Sequence, residues 1–121
     1  MKTARSHWFG PPAAIYAHLV PLIAHAARAH HYAIGVHGSL NYDLDLIAVP
    51  WADEASDPDT LVSAILDDLG FPVESRAREV ASEWVDKPHG RRATRILLGT
   101  GLYIDLSVTP RLPTSDGGGR G

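Results

Sequence analysis

Asp43 and Asp45 stand one residue apart at the head of an apolar run, Leu46-Ile47-Ala48-Val49, that stops at Pro50. Alternation on a strand puts both carboxylates on one face, about 6 to 7 Å apart. At that separation they repel by roughly 2 to 3 kcal/mol if the effective dielectric is about 20. Such a pair either holds a proton or holds a cation. Oxygen-only ligands favour Mg²⁺ or Mn²⁺, with water and phosphate completing the shell. The plainer alternative is a solvated strand end. Just upstream, Gly38-Ser39 can form a tight turn with free backbone N–H groups.

A third acid lies far along the chain. In Leu102-Tyr103-Ile104-Asp105-Leu106-Ser107-Val108 the aliphatic residues face one way and Tyr103, Asp105 and Ser107 the other. If this strand lies beside the Asp43 strand in matching register, Asp105 joins the acidic pair. An Asp105 paired with Arg92 or Arg95 across a hairpin is the alternative. With no metal bound, crowding and partial burial predict a raised pKa for at least one of the three acids.

The elements that must position these groups can be read from periodicity. Pro11 and Pro12 open a helix over about residues 12 to 31, with Ile15, Leu19, Leu22, Ile23 and Ala26 as its apolar stripe and Pro21 as a kink or a break. Trp8 and Phe9 are expected to pack against it. His18, His25, His30 and His31 lack the spacing of a helical metal pair and read as packing or capping residues. Tyr32 to His37 is a first strand, and Asp43 to Pro50 a second, joined as an antiparallel hairpin with its tip at Ser39 to Tyr42. That hairpin brings the Gly38-Ser39 turn beside the carboxylates. Asp57 as N-cap, Pro58 at the first helical position and Asp59 in the first turn begin a second helix. Leu61, Ile65, Leu66 and Leu69 face inward along it, and Gly70 with Pro72 ends it. A weaker pattern from Val73 to Asp86 gives a third strand anchored by Trp84. Lys87-Pro88-His89-Gly90-Arg91-Arg92 forms a basic turn. Arg91 to Leu98 and Leu102 to Val108 are further strands, joined through Gly99-Thr100-Gly101. The expected fold is α+β, a mixed sheet of four or five strands with helices mainly on one face. It forms a single domain over 1–109, and the Pro- and Gly-rich 110–121 is a flexible tail.

Composition narrows the function classes. The chain has 121 residues, 45% hydrophobic, with a formal charge of -3, which makes one folded domain and excludes a general polyanion binder. The absence of cysteine removes disulfides, zinc thiolates and thiol nucleophiles, leaving seven histidines as other ligands or bases. The apolar run after Lys2 and Arg5 looks like a secretory leader, but His18 and Pro21 interrupt it. It is also too short and too broken to span a membrane. A cytoplasmic protein is expected.

Helix, Gly-Ser turn, Asp-x-Asp strand, helix and a later strand with one more Asp together resemble the nucleotidyltransferase superfamily that includes DNA polymerase beta and the small bacterial minimal nucleotidyltransferases. The His-Gly-Ser, Asp-Leu-Asp-Leu and Lys-Pro-His-Gly-Arg-Arg blocks look like short phage-encoded proteins of this type. The resemblance implies that Gly38 and Ser39 bind the triphosphate, and that Asp43, Asp45 and Asp105 are the metal ligands and catalytic acids. It further implies two-metal phosphoryl transfer with Mg²⁺ or Mn²⁺, in which an acceptor hydroxyl attacks the α-phosphorus of a nucleoside triphosphate in line. Lys87, Arg91 and Arg92 are candidates for neutralising phosphate charge, unless the basic turn is only a solvated hairpin end. The acceptor would be a protein or a nucleic acid. Only Leu40, Asn41 and Tyr42 separate Gly-Ser from Asp43, where the family usually has a longer segment, so the helix start that cradles phosphate is expected to be missing. A different class is a catalytically degenerate scaffold that binds or inhibits a host nucleic-acid machine, and the bacterial relatives also suggest a toxin-antitoxin partner.

Overall fold

Apolar alternation at two and at three to four residues places the chain's regular elements, and their packing fixes a single layered arrangement. The computed structural model describes residues 12–70, 81–99 and 101–111. Helix α1 (Pro12–Ala29) leads into β1 (Tyr32–His37), β2 (Leu44–Pro50) and α2 (Pro58–Asp68). These are followed by a two-residue β3 (Val85–Asp86), a 3₁₀ turn over Pro88–Gly90, β4 (Arg92–Gly99) and β5 (Leu102–Val108). The five strands form one mixed sheet in the order β1-β2-β5-β4-β3. Its central pair, β2 and β5, is parallel and the outer pairs are antiparallel. Among the described residues the fold is therefore α+β, with a five-stranded mixed sheet and two helices.

Both helices cover the same sheet face. Tyr16, Ile23, Ala26 and Ala27 from α1 and Leu61, Val62, Ile65 and Leu66 from α2 join Leu44, Leu46, Ala48, Ile96, Ile104, Leu106 and Val108 in one buried cluster. Burial of these aliphatic side chains, at about 1.5 to 3 kcal/mol each, holds the layers together. The α1 stripe is turned from its expected setting: Tyr16 is buried, Ile15 and Leu19 are half-buried, and Leu22 is exposed. Pro21 neither splits the helix nor ends it. Proline removes the hydrogen bond to the carbonyl four residues back, but Pro21 and Ala17 are both exposed, so that carbonyl can turn to water.

Helix α2 starts as expected, with the Asp57 carboxylate accepting the Thr60 N–H at 2.8 Å and Pro58 at the first helical position. Its Asp59 accepts the Trp84 indole N–H at 2.6 Å, which ties the far sheet edge to the helix layer. Within the described part of Val73 to Asp86, the strand shrinks to Val85–Asp86 and an isolated bridge between Ala81 and Ile96. The charged alternation at Glu74 to Glu79 lies outside the described residues, as do Trp8, Phe9, Thr100 and the glycines of the tail. The tail's first residues are held: the Arg111 guanidinium donates to the Asp53 and Ala55 carbonyls. No helix among the described residues is long and apolar enough to cross a membrane.

Candidate metal centre

The sheet face away from the helices carries the acids. Residues Asp45 and Asp105 are register partners in the parallel β2–β5 pair, and Asp43 lies one step before β2 on the same side. One carboxylate oxygen from each of Asp43, Asp45 and Asp105 falls within 4.8 Å of the others. All three are half-buried. Burial pushes the Asp105 carboxyl above the usual aspartate range, its hydrogen bond with Asp43 pushes it further, and Arg95 partly offsets both. This is the raised acid that crowding without a counter-cation predicts. A donor set of three carboxylates without nitrogen or sulfur can hold a hard divalent cation.

The Gly38 turn supports one of these acids directly. Gly38 has φ +81°, and a Cβ added there would sit 2.5 Å from Asp45 Oδ2, so only glycine lets the carboxylate lie against the turn. The Ser39 hydroxyl accepts the Asn41 N–H at 3.2 Å. No helix begins between Ser39 and Asp43, in keeping with the three-residue spacer. His37 is the register partner of Asp45 and so shares its open face.

Two residues not singled out from the sequence complete the frame. Buried Tyr16 donates its hydroxyl to the Tyr42 carbonyl at 2.8 Å and accepts the Tyr103 N–H at 3.3 Å. It therefore pins the residue before Asp43 and the strand that carries Asp105. Arg95, considered above only as an alternative partner for Asp105, bonds that carboxylate at 3.1 Å while its guanidinium stacks over Tyr103 at 4.3 Å. The ion pair and the acidic cluster coexist. The helical step from Tyr16 to Ile23 marks the tyrosine as inward-facing but not its backbone partners, and alternation sets Arg95 on one face with Ala93 and Leu97 without saying which acid it meets.

The basic turn divides between the two faces. Lys87 lines an open cleft of about 440 Å³ together with Arg95, Asp105 and Ser107. Arg91 reaches the Ser107 hydroxyl at 3.2 Å. Arg92 goes the other way: it alternates with Ala93 and Arg95, and its guanidinium lies 5.1 Å from the centroid of the Trp84 ring. Asp43, Asp45, Asp105 and Gly38 thus meet on the acid side, Lys87 and Arg91 lie at the neighbouring cleft, and Arg92 is not brought to it. Comparison with models of known families and with curated proteins finds no match for this chain.

Proposed function

We propose that this chain is a metal-dependent nucleotidyltransferase-like protein, which moves a nucleoside monophosphate from a nucleoside triphosphate to an acceptor hydroxyl. The observation that carries the reading is the in-register pairing of Asp45 with Asp105, which gathers three carboxylates beside the Gly38 turn. Asp43, Asp45 and Asp105 would hold Mg²⁺ or Mn²⁺, which when bound supplies charge neutralisation at the transferring phosphate. The Gly38-Ser39 backbone and the Ser39 hydroxyl would contact the triphosphate. In the transfer, the acceptor oxygen bonds the α-phosphorus, the α–β bridging P–O bond breaks, and pyrophosphate leaves. The acceptor's proton passes toward Asp105, the acid on the side of the open cleft. Millimolar Mg²⁺ and nucleoside triphosphates would place this activity in a cytoplasm, a host's if the chain is phage-encoded.

The test is calorimetric titration with Mg²⁺ and each nucleoside triphosphate, on wild type and Asp45→Asn. Binding by the wild type that the variant loses supports the transferase. Silence with every nucleotide refutes it and favours the second reading, a degenerate scaffold acting as a binding or inhibitor module. Two observations favour that alternative: Arg95 already neutralises one acid, and no helix start follows the Gly-Ser turn.

A further inference from the structure

The Gly38-Ser39 turn and the basic cleft lie on opposite sides of the acids. The sheet order puts β1 and the turn beyond β2 on one flank, and β4 with β3 beyond β5 on the other. With neighbouring strands about 4.8 Å apart, β1 and β4 are separated by roughly 14 Å. A triphosphate seated on the turn keeps its phosphates on the β1 flank, with only the reacting phosphorus at the acids. The positive charge on the β4 flank is therefore directed at something else.

That charge is concentrated. Lys87 and Arg95 line the cleft, and Arg91 donates to the hydroxyl of Ser107, one of its lining residues. The Ser82 and Ser107 side chains add hydroxyls, while Ala93 leaves room between β3 and β5. Asp86, the acid nearest in sequence to Lys87, pairs in register with Arg92 and so takes the opposite face. A cleft of about 440 Å³ lies within the size range of small-molecule sites. The two cations and the Ser82 and Ser107 hydroxyls of its lining, with the Asp105 carboxylate at one side and Arg91 bonded to Ser107, suit one nucleotide unit and its phosphate.

We propose that this cleft is an anion subsite which takes a phosphate group of the acceptor, with Lys87, Arg91 and Arg95 as its contacts. The inference rests on the transferase reading and names its acceptor class: a phosphate-bearing molecule, either a free nucleotide or the end of a single strand. Arg95 links the two sites, because the same guanidinium touches Asp105 and faces the cleft. A phosphate arriving there places its neighbouring hydroxyl beside Asp105.

The experiment is fluorescence anisotropy of a labelled short single-stranded oligoadenylate with the full chain, at low salt, with Mg²⁺ and no triphosphate. Wild type is expected to bind with a log–log salt slope of about −2, as three phosphate contacts to a single strand require. Lys87→Glu and Arg95→Gln should each weaken binding about tenfold or more. Lys87 is exposed, so its variant tests charge without threatening the fold. Displacement of the label by adenosine 5′-monophosphate identifies a free nucleotide as sufficient, and failure to displace it identifies the strand; either result supports a phosphate subsite. Absence of binding by wild type, or binding that neither variant weakens, overturns the proposal. A parallel titration with ATP and Mg²⁺ keeps the two readings apart. ATP binding without oligonucleotide binding refutes the subsite alone, and oligonucleotide binding without ATP binding refutes the transferase alone.

Discussion

Tyr16→Phe is the sharpest test of how the fold holds its acids. The ring is fully buried and would remain packed, so the substitution removes only the hydroxyl. Two hydrogen bonds go with it, at 2.8 Å to the Tyr42 carbonyl and 3.3 Å to the Tyr103 N–H. Each contributes about 1 kcal/mol net, so a loss of about 2 kcal/mol is expected, which for a domain of this size lowers Tm by about 8 °C. The effect on the site should exceed what global destabilisation gives, because Tyr42 precedes Asp43 and Tyr103 shares a strand with Asp105. Loosening both backbones lets the carboxylates move apart. Mg²⁺ affinity, measured by calorimetry well below Tm, should fall about tenfold, equivalent to about 1.4 kcal/mol. A variant with wild-type Tm and wild-type Mg²⁺ affinity would refute the claim that Tyr16 positions the acids.

Gly38→Ala should abolish cation binding while the protein still melts cooperatively, since the added methyl displaces Asp45 Oδ2 and strains a positive φ; titration calorimetry with Mg²⁺ checks it. Wild type should gain about 1.4 kcal/mol at a cation concentration ten times Kd, and Asp45→Asn should retain its fold and lose that gain, as read from melting curves with and without Mg²⁺. Acid titration should separate two aspartates of opposite sign. Asp105 has a folded pKa raised above 3.8 by burial and by Asp43, so the folded state binds its proton more tightly. The cation-free protein should then lose stability as pH rises from 3.8 through that raised value, and Asp105→Asn should flatten this slope. Asp57 is lowered below 3.8 by its hydrogen bonds to the Thr60 backbone and side chain. Its contribution is present above 3.8 and fades as pH falls through the lowered value, a second slope that Asp57→Ala should remove.

Much of this arrangement was legible because its signals are local. Tyr32–His37 and Leu102–Val108 have the bounds that alternation and flanking residues predict, and the Asp57-Pro58 pair starts α2. The coincidence of Asp45 with Asp105 could be stated only as a condition, since which strands pair is settled by packing and not by either segment alone. The choice between Arg92 and Arg95 for Asp105 was hidden for a different reason. Between Leu97 and Gly99 the β4–β5 register shifts, and a one-residue shift exchanges the faces of every side chain beyond it. Without that irregularity an aliphatic residue would oppose Asp105. Tyr16 escaped notice because its partners, Tyr42 and Tyr103, are distant in sequence and both are backbone groups, which no residue pattern marks.

The parallel pairing at the centre of the sheet also governs when the three acids meet. The β1–β2 and β4–β5 hairpins close between neighbours in sequence and can form early, whereas β2 meets β5 only after the intervening helix and hairpin have been laid down. Long-range pairing of this kind is the slow part of folding. On the ribosome, a chain that has emerged only as far as β2 carries Asp43 and Asp45 without their third companion. A nascent or truncated product therefore has the turn and two acids, and the three-carboxylate cluster is completed only when β5 docks.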